Sequence, residues 1–254
     1  MHILVTGLSG TLGPRLAQKA TALGWRVSGW DRRAVPAEDA AESWCELVRR
    51  RPDAIAHLAI GSASWASLLA RYATENGVPL IFTSTAMVFD HDPDGPHDVT
   101  AERTARDDYG RGKIACEDAI LSACPRAAIA RLGWQIDERA GGNNMLAELD
   151  RWQQRDGRVR ASASWTPACS FMDDTCTSLL DLVVTRSSGT VHLDSNAVEA
   201  WRFDQIVNAL RTHGARDWAV EVDRTPQAYR HDQRLVGGSV VLPPLSGRLP
   251  ELLE

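Results

Sequence analysis

Met1-His2-Ile3-Leu4-Val5-Thr6-Gly7-Leu8-Ser9-Gly10-Thr11-Leu12-Gly13-Pro14-Arg15 opens the chain and sets how the rest is read. Ile3 to Val5 is an apolar run of strand character that ends in a glycine-punctuated turn, and beyond it Leu12, Leu16, Ala17, Ala20 and Leu23 recur at helical spacing. Strand, glycine-rich turn and helix, in that order, present backbone N–H groups and a positive helix end to a phosphate. Gly7 suits the tight turn, Gly10 the close approach of a pyrophosphate and Gly13 the close packing of helix on strand. With Ser9, Thr11 and Leu12 between them, these residues are expected to bind a dinucleotide. The spacing is G-x-x-G-x-x-G rather than the commoner G-x-G-x-x-G.

Downstream, Gly24 caps the helix and Trp25 to Trp30 reads as a second strand that ends at Asp31. An acidic residue there bonds the adenosine ribose, whereas Arg32 and Arg33 suit a 2′-phosphate, so NAD and NADP both stay open. A surface helix over Glu38–Arg50, a strand at Ala54–Ala59, a helix over Ser64–Asn76 and a strand at Leu80–Thr85 follow. This alternation predicts an α/β fold with a doubly wound parallel sheet. Ligands of such sheets lie beyond the carboxyl ends of the strands, where Gly7, Asp31, Ala59 and Thr85 all fall.

Residues 90–98 read as a solvated polar turn rather than a metal loop, and helical signals resume over Ala101–Ser122. Ala127–Arg131 is another strand. Beyond residue 133 the pattern changes: Gly141 to Asn144 opens a helix to about Gln154, Trp165–Pro167 is extended, and Asp173-Asp174 starts a helix. Thr190–Leu193 is a short strand, Trp201–His213 is amphipathic, and the tail from Gly237 is irregular. Residues 1–133 are therefore expected to form the dinucleotide-binding domain. Residues 134–254 are expected to form a small α/β substrate lobe interleaved with the end of the sheet.

With 254 residues, 44% of them hydrophobic and 24% charged, the chain can bury a substantial core. A net charge of −5 gives no footprint for nucleic acid and no polybasic membrane patch. No apolar run approaches the ~18 residues of a membrane span, and no signal peptide is evident. Five cysteines, an odd number without C-x-x-C spacing, suggest reduced thiols in a cytoplasm, with Cys116 and Cys124 in the core.

Lysine is scarce: Lys19 and Lys113 are the whole set. Lys113 lies four residues after Tyr109, on one helical face, where its charge is expected to depress the phenol pKa and make Tyr109 an acid or base. Thr85, at a strand end, is placed to hydrogen-bond the carbonyl or hydroxyl that Tyr109 serves.

Thr6 to Gly13, Ser84-Thr85-Ala86-Met87-Val88-Phe89-Asp90 and Tyr109-Gly110-Arg111-Gly112-Lys113 together resemble the extended short-chain dehydrogenase/reductases. Val88-Phe89-Asp90, Arg131-Leu132-Gly133-Trp134, Pro167, Asp173-Asp174 and Gly189 to Leu193 are similar to the dTDP-4-dehydrorhamnose reductase group within that superfamily. The resemblance implies a Rossmann-type fold and NADP or NAD as coenzyme. It also implies hydride transfer to the 4-keto group of a nucleotide-activated sugar. Tyr109 would donate the proton, Thr85 orient the carbonyl, and Lys113 tune Tyr109 and bind the nicotinamide ribose. Leu58 and Ala59 would line the coenzyme cleft, and Trp134 and Met87 would face the sugar.

The group's Asp-Tyr after the threonine is Ala86-Met87 here, which removes two polar groups near the substrate and argues against a 4,6-dehydratase. A sugar-nucleotide 4-epimerase, which regenerates its coenzyme, and a non-catalytic NAD(P)-binding regulatory protein are the alternatives; a homodimer is compatible with either.

Overall fold

The computed structural model describes residues 1–139 and 142–254, so Gly141 of the predicted helix start lies outside the described residues. In chain order the elements are β1 (His2–Thr6), α1 (Gly13–Ala22), β2 (Arg26–Gly29), α2 (Ala40–Arg50), β3 (Ala54–His57), α3 (Ala63–Asn76) and β4 (Leu80–Thr85). They continue with α4 (Asp108–Ala123), β5 (Ala128–Leu132), β6 (Trp134–Ile136), α5 (Met145–Asp156), β7 (Val159–Ser162), β8 (Trp165–Thr166) and β9 (Cys169–Phe171). The last are α6 (Met172–Val184), β10 (Gly189–Leu193), α7 (Phe203–His213), β11 (Val220–Asp223) and β12 (His231–Asp232).

Six strands pair in parallel in the order β10-β5-β4-β3-β1-β2, the Rossmann-type sheet expected of the alternating pattern. Alternate residues of each strand serve opposite faces. Leu4, Ile55, Phe82 and Ile129 enter one core with Trp65 and Leu69 of α3 and Cys116 and Ile120 of α4. Ile3, Val5, Ala56 and Ile81 enter the other with Leu16 and Ala20 of α1 and Cys176 and Leu179 of α6. A third core, of residues such as Met145, Leu149, Phe171, Phe203 and Leu210, gathers β6, β9, α5 and α7 into the lobe. β10 and α6, although late in the chain, complete the main sheet and its cover.

Side-chain caps explain most helix starts. Asp39 accepts from Glu42 N, Ser62 from Trp65 N, and Asn144 from Ala147 N. α4 begins at Asp108, seven residues later than the Ala101 read from sequence, because Asp107 accepts from the N–H groups of Tyr109 and Gly110. Residues before it are drawn into loop contacts instead: Ala105 N donates to Val88 O.

The 90–98 stretch also departs from a solvated turn. His97 is buried and stacks on Phe89, with centroids 4.6 Å apart, and backbone bridges tie Asp94 to Asp232 and His97 to Leu235. The tail is irregular but anchored: Leu242, Leu245, Leu249 and Leu252 are buried, the last three near short 3-10 turns. Among the described residues no helix is long and apolar enough to cross a membrane, and no group of three or more His, Cys, Asp or Glu could hold a metal. All five cysteines are free, and Cys116 and Cys124 are buried as expected.

Candidate active site

The chain runs outward from β1 to β2, then returns to β3 on the other side of β1, which opens a crevice at the carboxyl ends of β1 and β3. Gly7 enters it with φ +79°, and a Cβ there would lie 2.9 Å from Ala59 N. A Cβ on Gly13 would lie 2.3 Å from Gly7 O, so the start of α1 rests directly on the turn. Both expected glycine roles are thus visible as close backbone approaches. Gly10 N donates to Gly7 O, and a Cβ on Gly10 would meet only that oxygen within 4 Å before projecting into the cleft. Thr11 Oγ1 accepts from Asn143 N at 2.8 Å, which leaves its own O–H for a phosphate oxygen.

A cleft of about 770 Å³ runs from this turn across the sheet ends to the lobe. Gly7, Ser9, Gly10, Thr11, Leu12, Gly13, Arg32, Leu58 and Ala59 line it, and so do Thr85, Met87, Tyr109, Lys113 and Trp134. Asp31 does not line it: its carboxylate accepts from Arg33 N at 2.9 Å, closing a local turn. Arg32 instead reaches the cleft, donating to Ile60 O at 3.1 Å with its guanidinium 5.8 Å from the Trp65 ring centre.

Thr85 ends β4, and its Oγ1 accepts from Met87 N at 3.1 Å, capping the turn at Ala86–Phe89. α4 packs tightly against that turn, for a Cβ on Gly110 would sit 2.9 Å from Met87 O. This contact brings Tyr109, in the first turn of α4, to Thr85. Burial of its hydroxyl end raises the Tyr109 phenol, while the Thr85 hydroxyl pulls it down and the Asp107 carboxylate adds to the rise. Lys113 is not among the groups that move it, so the expected depression of the phenol by Lys113 is not found. The physical reason is where the amine goes: Lys113 is buried one turn deeper, donates to Thr83 O at 2.8 Å and lies 4.7 Å from the Phe82 ring centre. Burial there lowers Lys113 to about 8.

Beneath the crevice, His57 hydrogen-bonds Thr6 Oγ1 at 2.7 Å, and burial holds its imidazole neutral, pulled down to about 3.

The lobe side is a wall the sequence did not announce. Asp90, Gln135, Asn143, Trp165, Tyr229 and Gln233 line it. Trp134 and Trp165 stack with centroids 6.0 Å apart, and Trp165 meets Tyr229 edge-on at 5.3 Å. Asp90 falls inside the Val88-Phe89-Asp90 motif and Trp165 inside the extended stretch Trp165–Pro167; Tyr229 and Gln233 carry no local signal, being brought in by the pairing of β12 with β8. Asp194 anchors that returning segment: it accepts from the N–H groups of Cys169, Asn196 and Leu235, and burial pushes its carboxyl up to about 7.

The glycine cradle, the Thr11 hydroxyl and the Lys113 ammonium fit a dinucleotide's phosphates and ribose. The model of the RmlD substrate binding domain matches residues 62–233. A dTDP-4-dehydrorhamnose reductase of Mycolicibacterium smegmatis is 31% identical over 233 residues, 84% of this chain and 70% of that protein. One of Mycobacterium tuberculosis is 32% identical over 151 residues, 58% of this chain; there the match spans 49%, about half, of the relative's length. The crystal structure of a dTDP-4-dehydrorhamnose reductase from Bacillus anthracis in complex with NADP superimposes with a TM-score of 0.81 at 18% identity, covering 99% of this chain and 98% of that one. At that identity the likeness speaks for the fold.

Proposed function

We propose that this chain, which belongs to the RmlD substrate-binding-domain family, is an NAD(P)-dependent reductase of the 4-keto group of a nucleotide-activated deoxysugar. The observation that carries the reading is the meeting of Thr85, Tyr109 and Lys113 in one cleft with the glycine turn. Arg32 in that cleft, with Asp31 turned into its own loop, supports NADP over NAD.

The glycine turn and Thr11 would hold the diphosphate, and Lys113 the nicotinamide ribose through N–H donors not used on Thr83 O. The reduced nicotinamide, when bound, supplies the hydride for the carbonyl carbon. Thr85, whose oxygen already accepts from Met87 N, turns its O–H to the substrate carbonyl and fixes its direction. Tyr109 gives its proton to the same oxygen. A phenol raised by burial is fully protonated at neutral pH, the state a donor in the reducing direction requires. Trp134 and Met87 face the sugar from the centre of the cleft.

The test is NADPH oxidation against a panel of nucleotide 4-keto-6-deoxysugars. One member of the panel is expected to be reduced, and Tyr109→Phe is expected to lower kcat by about 10²–10⁴-fold while leaving NADPH affinity within about twofold. Undiminished turnover by that variant overturns the role of Tyr109. Interconversion of 4-epimers with no net oxidation of coenzyme would make the protein an epimerase instead.

A further inference from the structure

We propose that Tyr229 is a second hydroxyl contact to the sugar, held in place by His231, and that with Trp165 and Gln233 it selects the substrate from the lobe side of the cleft. The inference deepens the reductase reading and rests on it for the nature of the ligand.

Tyr229 is 50% exposed at the cleft lip, yet it is fixed at both ends. Its phenol oxygen lies 2.8 Å from His231 Nδ1, and its backbone carbonyl accepts from Ser162 Oγ at 2.6 Å. His231 is only 2% exposed, and its segment is hydrogen-bonded on both flanks. His231 N donates to Ser164 O and Gln233 N to Thr166 O on one side, while Asp232 N donates to Pro93 O and His97 N to Arg234 O on the other. A buried imidazole on a doubly paired strand thus aims a phenol that would otherwise swing in solvent. Whichever ring nitrogen carries the proton, the phenol oxygen keeps one hydrogen-bonding direction for the cleft.

The neighbours of Tyr229 suit a saccharide. Trp165 offers an apolar face, and its Nε1 donates to Gln233 Oε1 at 2.9 Å. That bond orients the Gln233 amide, with Nε2 toward the Asp90 carboxylate at 3.5 Å. An aromatic platform edged by a phenol, an amide and a carboxylate matches a sugar ring, with apolar C–H faces and hydroxyls at its rim. The positions converge from residues 90, 165, 229 and 233, and all of them line the cleft shared with Tyr109. His231 touches no ligand in this arrangement; it is a positioning residue that acts through Tyr229.

The experiment compares wild type, Tyr229→Phe, His231→Gln and the double variant. Phe keeps the ring against Trp165 and removes only the hydroxyl. Tyr229→Phe is expected to raise KM for the 4-keto sugar about five- to tenfold, with kcat and NADPH affinity within about twofold, the scale of one uncharged hydrogen bond. His231→Gln is expected to do the same, and the double variant to be no worse than Tyr229→Phe alone, since His231 works through that hydroxyl. Additive losses overturn the positioning role, and an unchanged KM in Tyr229→Phe overturns the contact itself.

Calorimetric titration with dTDP-rhamnose in the presence of NADP separates this inference from the reductase reading. Wild type that binds the sugar nucleotide but oxidises no NADPH in any assay refutes the reductase, while a weaker Kd in Tyr229→Phe still upholds the contact. Equal Kd values, or no binding by wild type, refute it.

Discussion

Residues 7–13 and residues 229–233 both contribute to the lining of one cleft, and they are built by opposite means. The first set is continuous, and it offers a ligand mostly backbone: a positive-φ glycine against Ala59, a second glycine with space for a phosphate, and a third packed on the turn itself. The second set works through side chains, Tyr229 held by His231 within the segment and Gln233 bonded to Trp165 from much earlier in the chain. A backbone site is intolerant of any added atom. A side-chain wall can be altered one group at a time, so the coenzyme end is where a single substitution should cost most and the sugar end where it should retune.

Gly13→Ala is the sharpest way to break that contrast. The new Cβ would sit 2.3 Å from a backbone oxygen, which cannot rotate away as a side chain can, so the turn must shift as a unit. Misplacement on that scale is expected to weaken NADPH binding roughly a hundredfold in a fluorescence titration. Affinity for the sugar nucleotide is expected to hold. Unchanged NADPH affinity would mean that the turn is as adaptable as the wall.

The same contrast explains what was legible in the sequence. Short continuous apolar runs, glycines at fixed offsets and the Tyr109–Lys113 spacing are local signals, and the elements they mark lie where the sequence put them. Misses came wherever a long-range contact decided the outcome. Asp107 caps α4 and strips helix from residues 101–106, and backbone bridges to Asp232 and Leu235, far downstream, turn the polar stretch around His97 into buried structure. Tyr229 and Gln233 sit in a segment without periodicity, since one short strand pairing with β8 places them. The expectation that Lys113 lowers Tyr109 failed for a related reason: helical spacing gave the shared face but not the depth at which Thr83 O captures the amine.

Arg32 tests a smaller effect on the coenzyme side. Its side chain lies in the cleft beside Trp65, while Asp31 is spent on Arg33 N. Arg32→Ser is expected to weaken NADPH about tenfold or more, as befits a lost hydrogen bond between charged partners, and to leave NADH nearly unaffected. Parallel titrations with the two coenzymes check this. Equal losses with both would place Arg32 outside 2′-phosphate recognition and reopen the case for Asp31.

The smallest effect expected is one of pH, and it should fall on one side of the cleft alone. Burial lowers Lys113 from its ordinary range to about 8, so below that pH the folded protein carries the ammonium, and as pH rises through 8 the charge is lost. Coenzyme affinity that draws on this charge is expected to decline a few-fold between about pH 7 and 9, and Lys113→Met should show a flat, weaker profile. On the sugar side Asp194, pushed up to about 7, meets that window only at its lower edge and does not line the cleft. Burial lowers His231 and His97, keeping both imidazoles neutral, and raises Tyr229 to about 12. KM for the sugar, measured at saturating coenzyme, should therefore stay level while Kd for NADPH rises. A parallel rise in both would tie the lobe wall to Lys113, and the two sides would then respond as one site.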